Sequence, residues 1–370
     1  MRVLVVTPWF PSSASPGSGV FNLRDAQLIA ADHEVTVLHL IHPRLLSEKE
    51  RAVDAVELGE LRVVRVPFSI ERPSTIIPAA RMIRRMATDA DVLHSMAFPA
   101  LLPVSLSRVG RRKPWLHTEH YSQLVTPPAS TRTAVSLAVL KPLFKRPLRT
   151  IAVSRALADV IDRHRRTPTM VIGNEVIMPS EPLRPRPSTV SDGTAVKLVG
   201  VGSLIERKGP VIAVRTMVEL RSRGVDASLT WVGDGPLAEQ MREQAQKAGV
   251  IESLHLRGHL TPEELSHELV RSDLFLLPVE TETFGVAMAE ALAHGLPVVA
   301  TGTGGHTEFL PNEASRLVQR RDSGPLADAV QNICADPDTW NPAEISAYAA
   351  TRFSPSARAT AYGEAYSGLD

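Results

Sequence analysis

The sequence predicts an α/β protein made of two doubly wound parallel-sheet domains in tandem, with a ligand cleft between them. Short apolar runs alternate with helical stretches along the 370 residues, a length that suits about two domains. The runs are continuous rather than alternating, which is typical of parallel strands covered on both faces. The same order begins again after a Pro- and Ser-rich segment at 179–194. We therefore place the domains at 1–180 and 181–354.

The N-terminal half begins with a strand, a glycine-containing loop, a helix and a second strand. MRVLVVT (1–7) predicts a buried parallel strand, and the helix covers about 21–31. This order is a βαβ unit. The further predicted strands are HEVTVLHL (33–40), LRVVRV (61–66), DVLHS (91–95), PWLHTEH (114–120) and TIAVS (150–154).

The C-terminal half repeats this alternation after a predicted linker, PSEPLRPRPSTVSDGT (179–194), which has no periodicity. The predicted strands are AVKLVGVGSL (195–204), ASLTWVG (227–233), SLHLRG (253–258), LFLLP (274–278) and PVVAT (297–301). The predicted helices between them cover 209–224, 235–249, 261–272 and 286–293.

Composition limits the classes of protein. A hydrophobic content of 44% and a net charge of +1 fit a globular protein and indicate no particular partner. Residues 1–180 carry 24 Lys and Arg against 15 Asp and Glu, and the rest carries 17 against 25, so the halves have charges of +9 and −8. Two modules with different partners would explain this difference, and so would uneven surface charge.

The single cysteine, Cys334, excludes an internal disulfide and a cysteine-based metal site. It fits a reducing cytoplasm and is expected to be a small buried side chain. The N-terminal apolar run is too short and too interrupted by Pro8 and Pro11 for a signal peptide. No stretch approaches the ~18 apolar residues of a membrane span. We therefore expect a cytoplasmic protein.

One carboxylate, Glu290, lies in the otherwise apolar helical run Val286 to Ala293. An ionised carboxylate in such surroundings costs several kcal/mol unless hydrogen bonds compensate it. Either a donor from the protein or a ligand must therefore bind Glu290.

Six motifs follow one another along the chain, and their order and spacing together are specific. They are TEHYS (118–122), TIAVSRAL (150–157), VIGNEV (171–176), VGSLIERKG (201–209), WVGDGP (231–236) and ETFGVAMAEALAHGLPVVATGTGG (282–305). In this order they resemble the retaining glycosyltransferases of family 4, which share the GT-B fold of two Rossmann-like domains. Glu282 and Glu290 match the E-x7-E signature of that family. Residues 355–370 resemble its C-terminal helix, which returns to the N-terminal domain.

The resemblance implies a site for the donor, a nucleotide-diphosphate sugar, at the start of the 286–293 helix. The diphosphate lies there in the family, where free N–H groups and the helix dipole suit an anion and Gly285 allows close approach. The alternative for Gly285 is a tight turn only. Glu290 is implied to bind the ribose diol, unless an internal Arg or the backbone satisfies it. The other donor-binding residues implied around this helix are Thr283, Phe284 and Val286.

The charges of the implied reaction centre come from Glu282 and Lys208. Glu282 would face the donor sugar, or alternatively complement the helix dipole. Lys208 would neutralise the diphosphate leaving group without a metal ion. Many relatives carry an Arg where this chain has Ser203. Arg207 is the candidate to replace it, although adjacent side chains often point apart.

Other residues of the C-terminal half have smaller implied roles. The family places backbone contacts to the base at Arg257 and Gly258, which does not distinguish uracil from guanine. Asp234 is expected to be structural, at a strand-to-helix turn. Glu308 in the GG-x-x-E stretch at 304–308 would be structural or lie at the cleft rim.

In the N-terminal half, the resemblance implies that His120 contacts the donor sugar or the reacting centre. His94, at another strand end, would line the acceptor cleft or would be a satisfied core histidine. Gly17 and Gly19 lie in a loop that approaches the donor phosphates and the acceptor in relatives, with a plain loop as the alternative. Since position 22 is Asn22, this loop is not the G-x-G-x-x-G of nicotinamide-binding proteins.

A metal site on the 114–120 strand is not expected. His117 and Glu119 share one face of the strand and His120 takes the other. His117 is therefore interpreted as structural.

Three basic clusters lie in the N-terminal half, at 81–86, 108–113 and 141–149. The last, KPLFKRPLR, looks amphipathic through Leu143 and Phe144, and predicts peripheral contact with an anionic membrane at the inner face of the cell membrane. The alternative is solvated charge with core residues. Nucleic acid is not expected as a partner, because aromatic residues make up only 5% and do not interleave with the clusters.

The leading hypothesis is a retaining glycosyltransferase that uses no cofactor besides its donor substrate. Its acceptor would be a glycan, a lipid-linked saccharide or a small glycoconjugate. Two alternatives remain. One is a sugar-nucleotide epimerase of the same fold, and the other is a non-catalytic nucleotide-sugar-binding subunit, which only Ser203 favours.

Overall fold

The computed structural model describes residues 1–47, 55–126, 130–183, 195–335 and 341–369. The chain divides into two compact units, Met1–Glu175 with Arg358–Asp370, and Val176–Ala357. The sequence places the first boundary at 180/181 and the return at 354/355, and the structure has them at 175/176 and 357/358. Most of the predicted linker, 184–194, lies outside the described residues.

The N-terminal unit is built on a sheet of eight described strands. They are β1 (Arg2–Thr7), β2 (Glu34–Ile41), β3 (Val56–Leu58), β4 (Leu61–Pro67), β5 (Val92–Met96), β6 (Trp115–Glu119), β7 (Arg149–Ala152) and β8 (Met170–Val171). Their order is β3-β4-β2-β1-β5-β6-β7-β8, and only the β3–β4 pair is antiparallel. The connections change direction between β1 and β5, which makes this edge the topological switch point.

The helices of this unit begin at recognisable signals. They are α1 (Val20–Ala30), α2 (Ile76–Met86), α3 (Leu101–Ser107), α4 (Thr131–Leu140) and α5 (Arg155–Asp162). Ser130 and Ser154 cap α4 and α5 by accepting backbone N–H groups three residues on. Gly19 begins α1 with φ +69°, and a Cβ there would overlap the backbone of Trp9.

The C-terminal unit has a sheet of six described strands. They are β9 (Val196–Val201), β10 (Ala227–Val232), β11 (Leu254–Gly258), β12 (Leu274–Leu277), β13 (Val298–Thr301) and β14 (Ser315–Val318). The order is β11-β10-β9-β12-β13-β14, and every pair is parallel. The continuous burial of β12 and β13 confirms the expectation of strands covered on both faces.

The remaining helices complete both units. They are α6 (Pro210–Ser222), α7 (Ala238–Lys247), α8 (Pro262–Arg271), α9 (Val286–Ala293), α10 (Ser323–Ala335), α11 (Pro342–Phe353) and α12 (Pro355–Tyr366). Thr261 and Glu264 form a capping box at α8. The end of α12 packs into the core of the N-terminal unit through Tyr362, Ala365 and Tyr366. The C-terminal residues therefore belong physically to the first unit.

One expectation about a side chain is wrong, and for another side chain the structure favours one of two open alternatives. Cys334 is partly exposed rather than buried. In the basic segment 141–149, Phe144 is fully buried in a short 3-10 helix, Lys141–Lys145. Phe144 therefore supports the core and offers no apolar surface to a membrane.

Candidate functional site

In the C-terminal unit, two consecutive glycines hold the backbone of Glu282 in place. The Gly305 N–H donates to the Glu282 carbonyl at 2.7 Å. Gly304 has φ +115°, and a Cβ there would overlap the backbone of Glu282. These glycines therefore fasten Glu282 against the loop that follows β13, and larger residues would push it away.

Two cations converge on the Glu282 carboxylate. Lys208 Nζ contacts Glu282 Oε1, and Arg207 Nη1 lies 3.7 Å from Glu282 Oε2. Arg207 also donates to the Thr281 carbonyl at 2.9 Å. Adjacent side chains often point apart, but here the 3-10 turn Glu206–Lys208 directs both toward one acid. Arg207 thus supplies the second cation at a site where Ser203 supplies none.

This cluster can accept a further anion. Two cations face a single carboxylate, so one positive charge is left uncompensated within the group. The side chains of Lys208 and Glu282 are only 17% and 13% exposed, which weakens screening by water and strengthens the attraction for an incoming phosphate.

Gly285 begins α9 in a conformation that other residues rarely adopt. Its φ is +99°, and a Cβ would lie 2.9 Å from the Cβ of His306. The Gly285 carbonyl accepts the amides of Met288 and Ala289 at 3.0 and 3.1 Å. The first two N–H groups of α9 therefore have no partner within the helix, and they suit an anion.

The side chains around this helix start differ in accessibility. Phe284 is buried, and its ring packs on Phe309 and Phe353 with centroids 4.8 and 5.4 Å apart. Thr283 is also buried, and its Oγ1 has no hydrogen-bond partner among the described residues. Val286 is partly exposed. A ligand would therefore meet the backbone here rather than the ring of Phe284.

Glu290 is buried within α9, with 6% of its surface exposed. The neighbouring Met288, Ala289, Ala291 and Leu292 are buried as well. The Glu290 backbone carbonyl accepts hydrogen bonds from the N–H and Nδ1 of His294, at 3.0 and 2.8 Å. The apolar surroundings inferred from the sequence are thus present.

The residues assigned to base recognition lie at the end of β11. Arg257 is exposed and pairs with Glu268 at 3.1 Å. Gly258 has φ +65°, and its carbonyl accepts the Gly233 N–H at 2.7 Å. Asp234 accepts the next residue's N–H at 2.7 Å, as expected for a turn residue. Glu308 is exposed.

His306 is a residue of this site that the sequence analysis missed. It is fully buried against Gly285, and its Nε2 lies 2.7 Å from the Thr301 carbonyl. Burial lowers the pKa of His306, which keeps the ring neutral. Its Nδ1 has no hydrogen-bond partner among the described residues. A histidine directly after paired glycines was the available signal.

In the N-terminal unit, His120 follows β6 and belongs to a buried polar cluster. His120 Nε2 lies 3.2 Å from Asp25 Oδ2. Arg358 and Tyr362, both on α12, donate to Asp25 at 2.6 and 2.9 Å. The ring of Phe21 stacks on His120 at 6.1 Å. No role was predicted for Asp25, Arg358 or Tyr362, although an acid one residue before the apolar Ala26 of α1 was a signal.

The electrostatics of this cluster favour an ionised Asp25. Burial alone would raise the pKa of the Asp25 carboxyl, but the Arg358 charge and the His120 hydrogen bond outweigh burial and hold the pKa well below its ordinary value. Burial raises the pKa of Tyr362, so its hydroxyl remains a donor. In a neutral His120 ring, an Asp25 that accepts from Nε2–H leaves Nδ1 as the ring's acceptor. This Nδ1 is buried without a partner among the described residues.

Glu119 shapes the turn that carries His120. Its Oε1 accepts the N–H groups of His120 and Tyr121 at 2.9 and 2.8 Å, and its Oε2 lies 3.1 Å from His117 Nε2. His117 is fully buried, in agreement with its structural interpretation. Within the described residues, no group of three or more His, Cys, Asp or Glu side chains is arranged to hold a metal ion.

His94 lies in the core of the N-terminal unit. Its Nδ1 and Nε2 are 2.7 Å from the Tyr366 hydroxyl and the Thr118 hydroxyl, and the residue has no exposed surface. Burial lowers the pKa of His94 to about 3, so the ring is neutral. This geometry favours the satisfied core histidine over an acceptor contact. Gly17 is exposed in the loop before Gly19, and a Cβ there would meet nothing within 4 Å.

Two solved structures share the fold of this chain. Sucrose-phosphate synthase from Thermosynechococcus elongatus has the same fold, with a TM-score of 0.77 at 20% identity over 100% of this chain and 99% of that chain. HepE from Anabaena, solved in complex with UDP, gives a TM-score of 0.77 at 19% identity over 99% of this chain and 100% of that chain. The two Rossmann-like units therefore have the GT-B fold.

Sequence comparison then gives the family. The model of Glycosyltransferase Family 4 matches residues 25–176, and that of Glycosyl transferases group 1 matches residues 195–336. Together they cover well over half of the chain, with one match in each unit. The chain therefore belongs to the glycosyltransferases that these two models describe.

Curated relatives match part of the chain. The GDP-mannose-dependent alpha-(1-6)-phosphatidylinositol monomannoside mannosyltransferase of Mycolicibacterium smegmatis is 33% identical over 148 residues, which are 38% of this chain and 39% of that protein. Glycogen synthase of Mycobacterium tuberculosis is 34% identical over 142 residues, 38% of this chain and 34% of that protein. The matched part thus spans less than half the length of these relatives.

No helix in the described part of the chain is long and apolar enough to cross a bilayer.

The Asp25 cluster yields a stability prediction. We expect Asp25→Asn to destabilise the N-terminal unit by about 3 kcal/mol at pH 7, because the buried Arg358 guanidinium then keeps only the more distant carboxylate of Glu175, 3.7 Å away, as a charge partner. The exposed Asp32→Asn, just beyond the same helix, is the matched control and should change stability by less than about 0.5 kcal/mol. Urea unfolding followed by circular dichroism measures both.

The same cluster predicts a pH dependence. The pKa of Asp25 is lower in the folded than in the unfolded state, so its contribution is present above pH ~4 and is lost as pH falls toward the folded value. Between pH 5 and pH 3, wild type should therefore lose more stability than Asp25→Asn. Parallel pH profiles of the two proteins would contradict this assignment.

Proposed function

We propose that the chain transfers a sugar from a nucleotide-diphosphate donor to a hydroxyl acceptor, with retention of the anomeric configuration. The observation that carries this proposal is the convergence of Lys208 and Arg207 on Glu282 next to the N-terminus of α9. Such a site offers fixed positive charge beside one acid, which is what departure of a diphosphate beside a sugar needs.

The diphosphate is proposed to lie against the free N–H groups of α9 and to share Lys208 with Glu282. As the bond between sugar and phosphate breaks, negative charge grows on the leaving oxygen. Lys208, Arg207 and the helix dipole stabilise that charge from positions fixed beforehand. Gly285 is essential to this arrangement, because a side chain there would strain the turn and meet His306.

Glu290 is proposed to bind the ribose diol of the donor. A carboxylate can accept hydrogen bonds from two neighbouring hydroxyls, and such charge-assisted bonds are strong where water is scarce. The position of Glu290 on the same short helix as the phosphate-binding terminus supports this role. Ribose and diphosphate are adjacent parts of one ligand, and Glu290 begins the second turn of α9.

His120 is proposed to contact the donor sugar or the reacting centre through Nδ1. Asp25 holds the opposite nitrogen, which orients the ring and, in its neutral form, leaves Nδ1 as an acceptor toward a hydroxyl. Retention is proposed to arise from a front-face reaction in which a leaving phosphate oxygen takes the acceptor proton. Resemblance to family 4 supports that step. Contacts to the base are proposed to come from the backbone at Arg257 and Gly258, because the side chain of Arg257 is engaged with Glu268.

The two alternatives are separated by one set of incubations with UDP-, GDP- and ADP-sugars. An epimerase would change the sugar of the donor with no acceptor present. A binding subunit would hydrolyse no donor at all. The proposed transferase should show slow donor hydrolysis that disappears in Glu282→Gln, while nucleotide affinity is kept because the variant leaves Lys208 free for phosphate. Hydrolysis that persists in Glu282→Gln would contradict the proposed role of this acid.

Lys208→Met should weaken binding of UDP or GDP, whichever binds wild type, by at least about tenfold, since the phosphate cation is lost. The affinity for the matching nucleoside monophosphate should fall less in this variant, because that nucleotide lacks the outer phosphate. Lys247→Met, an exposed lysine on α7, should leave both affinities unchanged. Calorimetric titration measures these constants. If the affinities for the diphosphate and the monophosphate fell equally, the outer phosphate would not contact Lys208, and this placement of the diphosphate would be wrong.

Glu290→Ala should remove the preference for a ribose diol. Wild type is expected to bind the 2′-deoxy analogue of its nucleoside diphosphate roughly tenfold less tightly, by loss of a charge-assisted hydrogen bond. In Glu290→Ala the natural and deoxy nucleotides should bind alike. A preference that survives unchanged in the variant would show that another group holds the ribose.

We also propose that the N-terminal unit contacts anionic membranes through the outer face of α4 and the segment after it, here called the α4 surface. Val135, Val139 and Leu148 are 57%, 66% and 54% exposed. Lys145 and Arg146 are exposed beside them in sequence. Exposed apolar side chains next to cations suit a surface rich in anionic lipid.

Val139→Asp should reduce co-sedimentation with phosphatidylglycerol vesicles several-fold at 0.1 M salt, by removing apolar area and adding a like charge to the lipid. Leu106→Asp, on α3 and 43% exposed, is the matched control and should bind as wild type does. Wild-type binding to phosphatidylcholine vesicles should be weak. Equal binding of both variants would exclude the α4 surface as the contact.

A further inference from the structure

A cavity of about 750 Å³ lies within the N-terminal unit. It opens at the carboxyl ends of β1, β2, β4 and β5, where Pro8–Phe10, His39–His42, Phe68–Ile70 and Phe98 line it. Ligands of open α/β sheets bind at this edge, beside the switch point between β1 and β5. Its volume is that of a small-molecule site.

The walls of the cavity are mainly aromatic. Trp9 and Tyr121 contact each other with ring centroids 5.2 Å apart, and Phe98 stacks on Tyr121 at 6.1 Å. Phe10 and Phe68 are buried behind them, whereas Trp9 and Tyr121 are partly exposed. A ligand can therefore reach two ring faces that the core holds in place, which favours an apolar or planar group.

The polar lining of the cavity is mostly neutral. Neither lysine nor arginine lines it within the described residues, and Glu71 is the only carboxylate there. The remaining polar groups are two histidines and several hydroxyls, among them those of Ser69, Thr133 and Ser136. An anionic group placed here would lose part of its hydration to a mainly aromatic lining without lysine or arginine, which is unfavourable. Hydroxyl-bearing neutral ligands meet no such penalty.

Two chain connections place the cavity beside His120 within the N-terminal unit. Tyr121 directly follows His120, and both of their N–H groups are held by Glu119. Trp9 lies against Gly19, at the start of the helix that carries Asp25. A ligand on Trp9 and Tyr121 is therefore next to the histidine that the Asp25 cluster fixes.

We propose that this cavity binds the uncharged apolar part of the acceptor, an aryl or alkyl group carried by a neutral glycoside or alcohol. Naming this ligand the acceptor rests on the proposed transferase function, whereas binding in the cavity does not. The part of the acceptor that enters carries no phosphate or carboxylate. The reaction adds a sugar to a hydroxyl of that ligand outside the aromatic walls.

The test compares two probes that share one aryl group, 4-nitrophenyl β-D-glucopyranoside and 4-nitrophenyl phosphate, with octyl β-D-glucopyranoside below its micelle concentration as the alkyl probe. Calorimetric titration of the full chain is done without a nucleotide. We expect at least one neutral glycoside to bind at least tenfold more tightly than the phosphate. Tighter binding of the phosphate, or no binding of either glycoside, would overturn the proposal.

Two variants assign the binding to the cavity. Ser136→Trp fills it from α4 and should abolish glycoside binding, while Ala138→Trp, on the exposed side of the same helix, should leave binding unchanged. Trp9→Ala removes one wall and should weaken binding at least fivefold, which keeps the test valid if Ser136→Trp unfolds. Glycoside binding that survives both Ser136→Trp and Trp9→Ala would contradict the proposal.

Failure of the proposed function has a different signature. If no nucleotide sugar is hydrolysed or transferred but a neutral glycoside still binds in the Trp9-dependent manner, the transferase proposal fails and the cavity remains a site for neutral amphipathic ligands. If donor hydrolysis is observed but transfer prefers phosphorylated acceptors, the transferase stands and the acceptor class is wrong.

Discussion

The ion pair between Lys208 and Glu282 is the interaction on which the candidate donor site depends. An amine and a carboxylate with little exposure to water are stable together only if their backbones are held still. Gly304 and Gly305 fasten Glu282. Gly209, with φ +70°, lets the Lys208 turn pass close to the carbonyl of Pro278. The glycines therefore set the geometry of the charges, and the charges set what the helix terminus at Gly285 can bind.

The N-terminal unit also contains a buried carboxylate, Asp25, whose charge is compensated by a hydrogen-bond network. Asp25 is compensated by Arg358 and Tyr362, which come from the last helix of the chain. The same carboxylate orients His120, so the end of the chain is connected to the histidine through one acid. This gives α12 a role beyond packing: without its guanidinium, Asp25 would be an uncompensated buried charge. Asp25 and Arg358 are 333 positions apart in the sequence.

Local sequence patterns predicted many of the strands and helices. They did not predict the contacts between residues that are far apart in the sequence. The apolar runs at 274–278 and 297–301 became β12 and β13, and the helix at 286–293 has the predicted bounds. The pairing of Arg207 with Glu282 could not be read from spacing, because the two are brought together by separate strands. For His94 the sequence left a cleft residue and a core histidine both open, because its partner Tyr366 lies 272 positions further along the chain. Phe144 appeared in a basic segment, and only tertiary packing places it in the core.

The positive charge that Glu282 leaves uncompensated at Lys208 and Arg207 is proposed to hold a diphosphate whose ribose meets Glu290. A crystal structure of the chain with its tightest-binding nucleoside diphosphate is the decisive experiment. We expect phosphate oxygens within hydrogen-bond distance of Lys208 Nζ and the first N–H groups of α9, with both ribose hydroxyls on the Glu290 carboxylate. A nucleotide bound elsewhere, with the Glu290 oxygens saturated by groups of the protein itself, would contradict it.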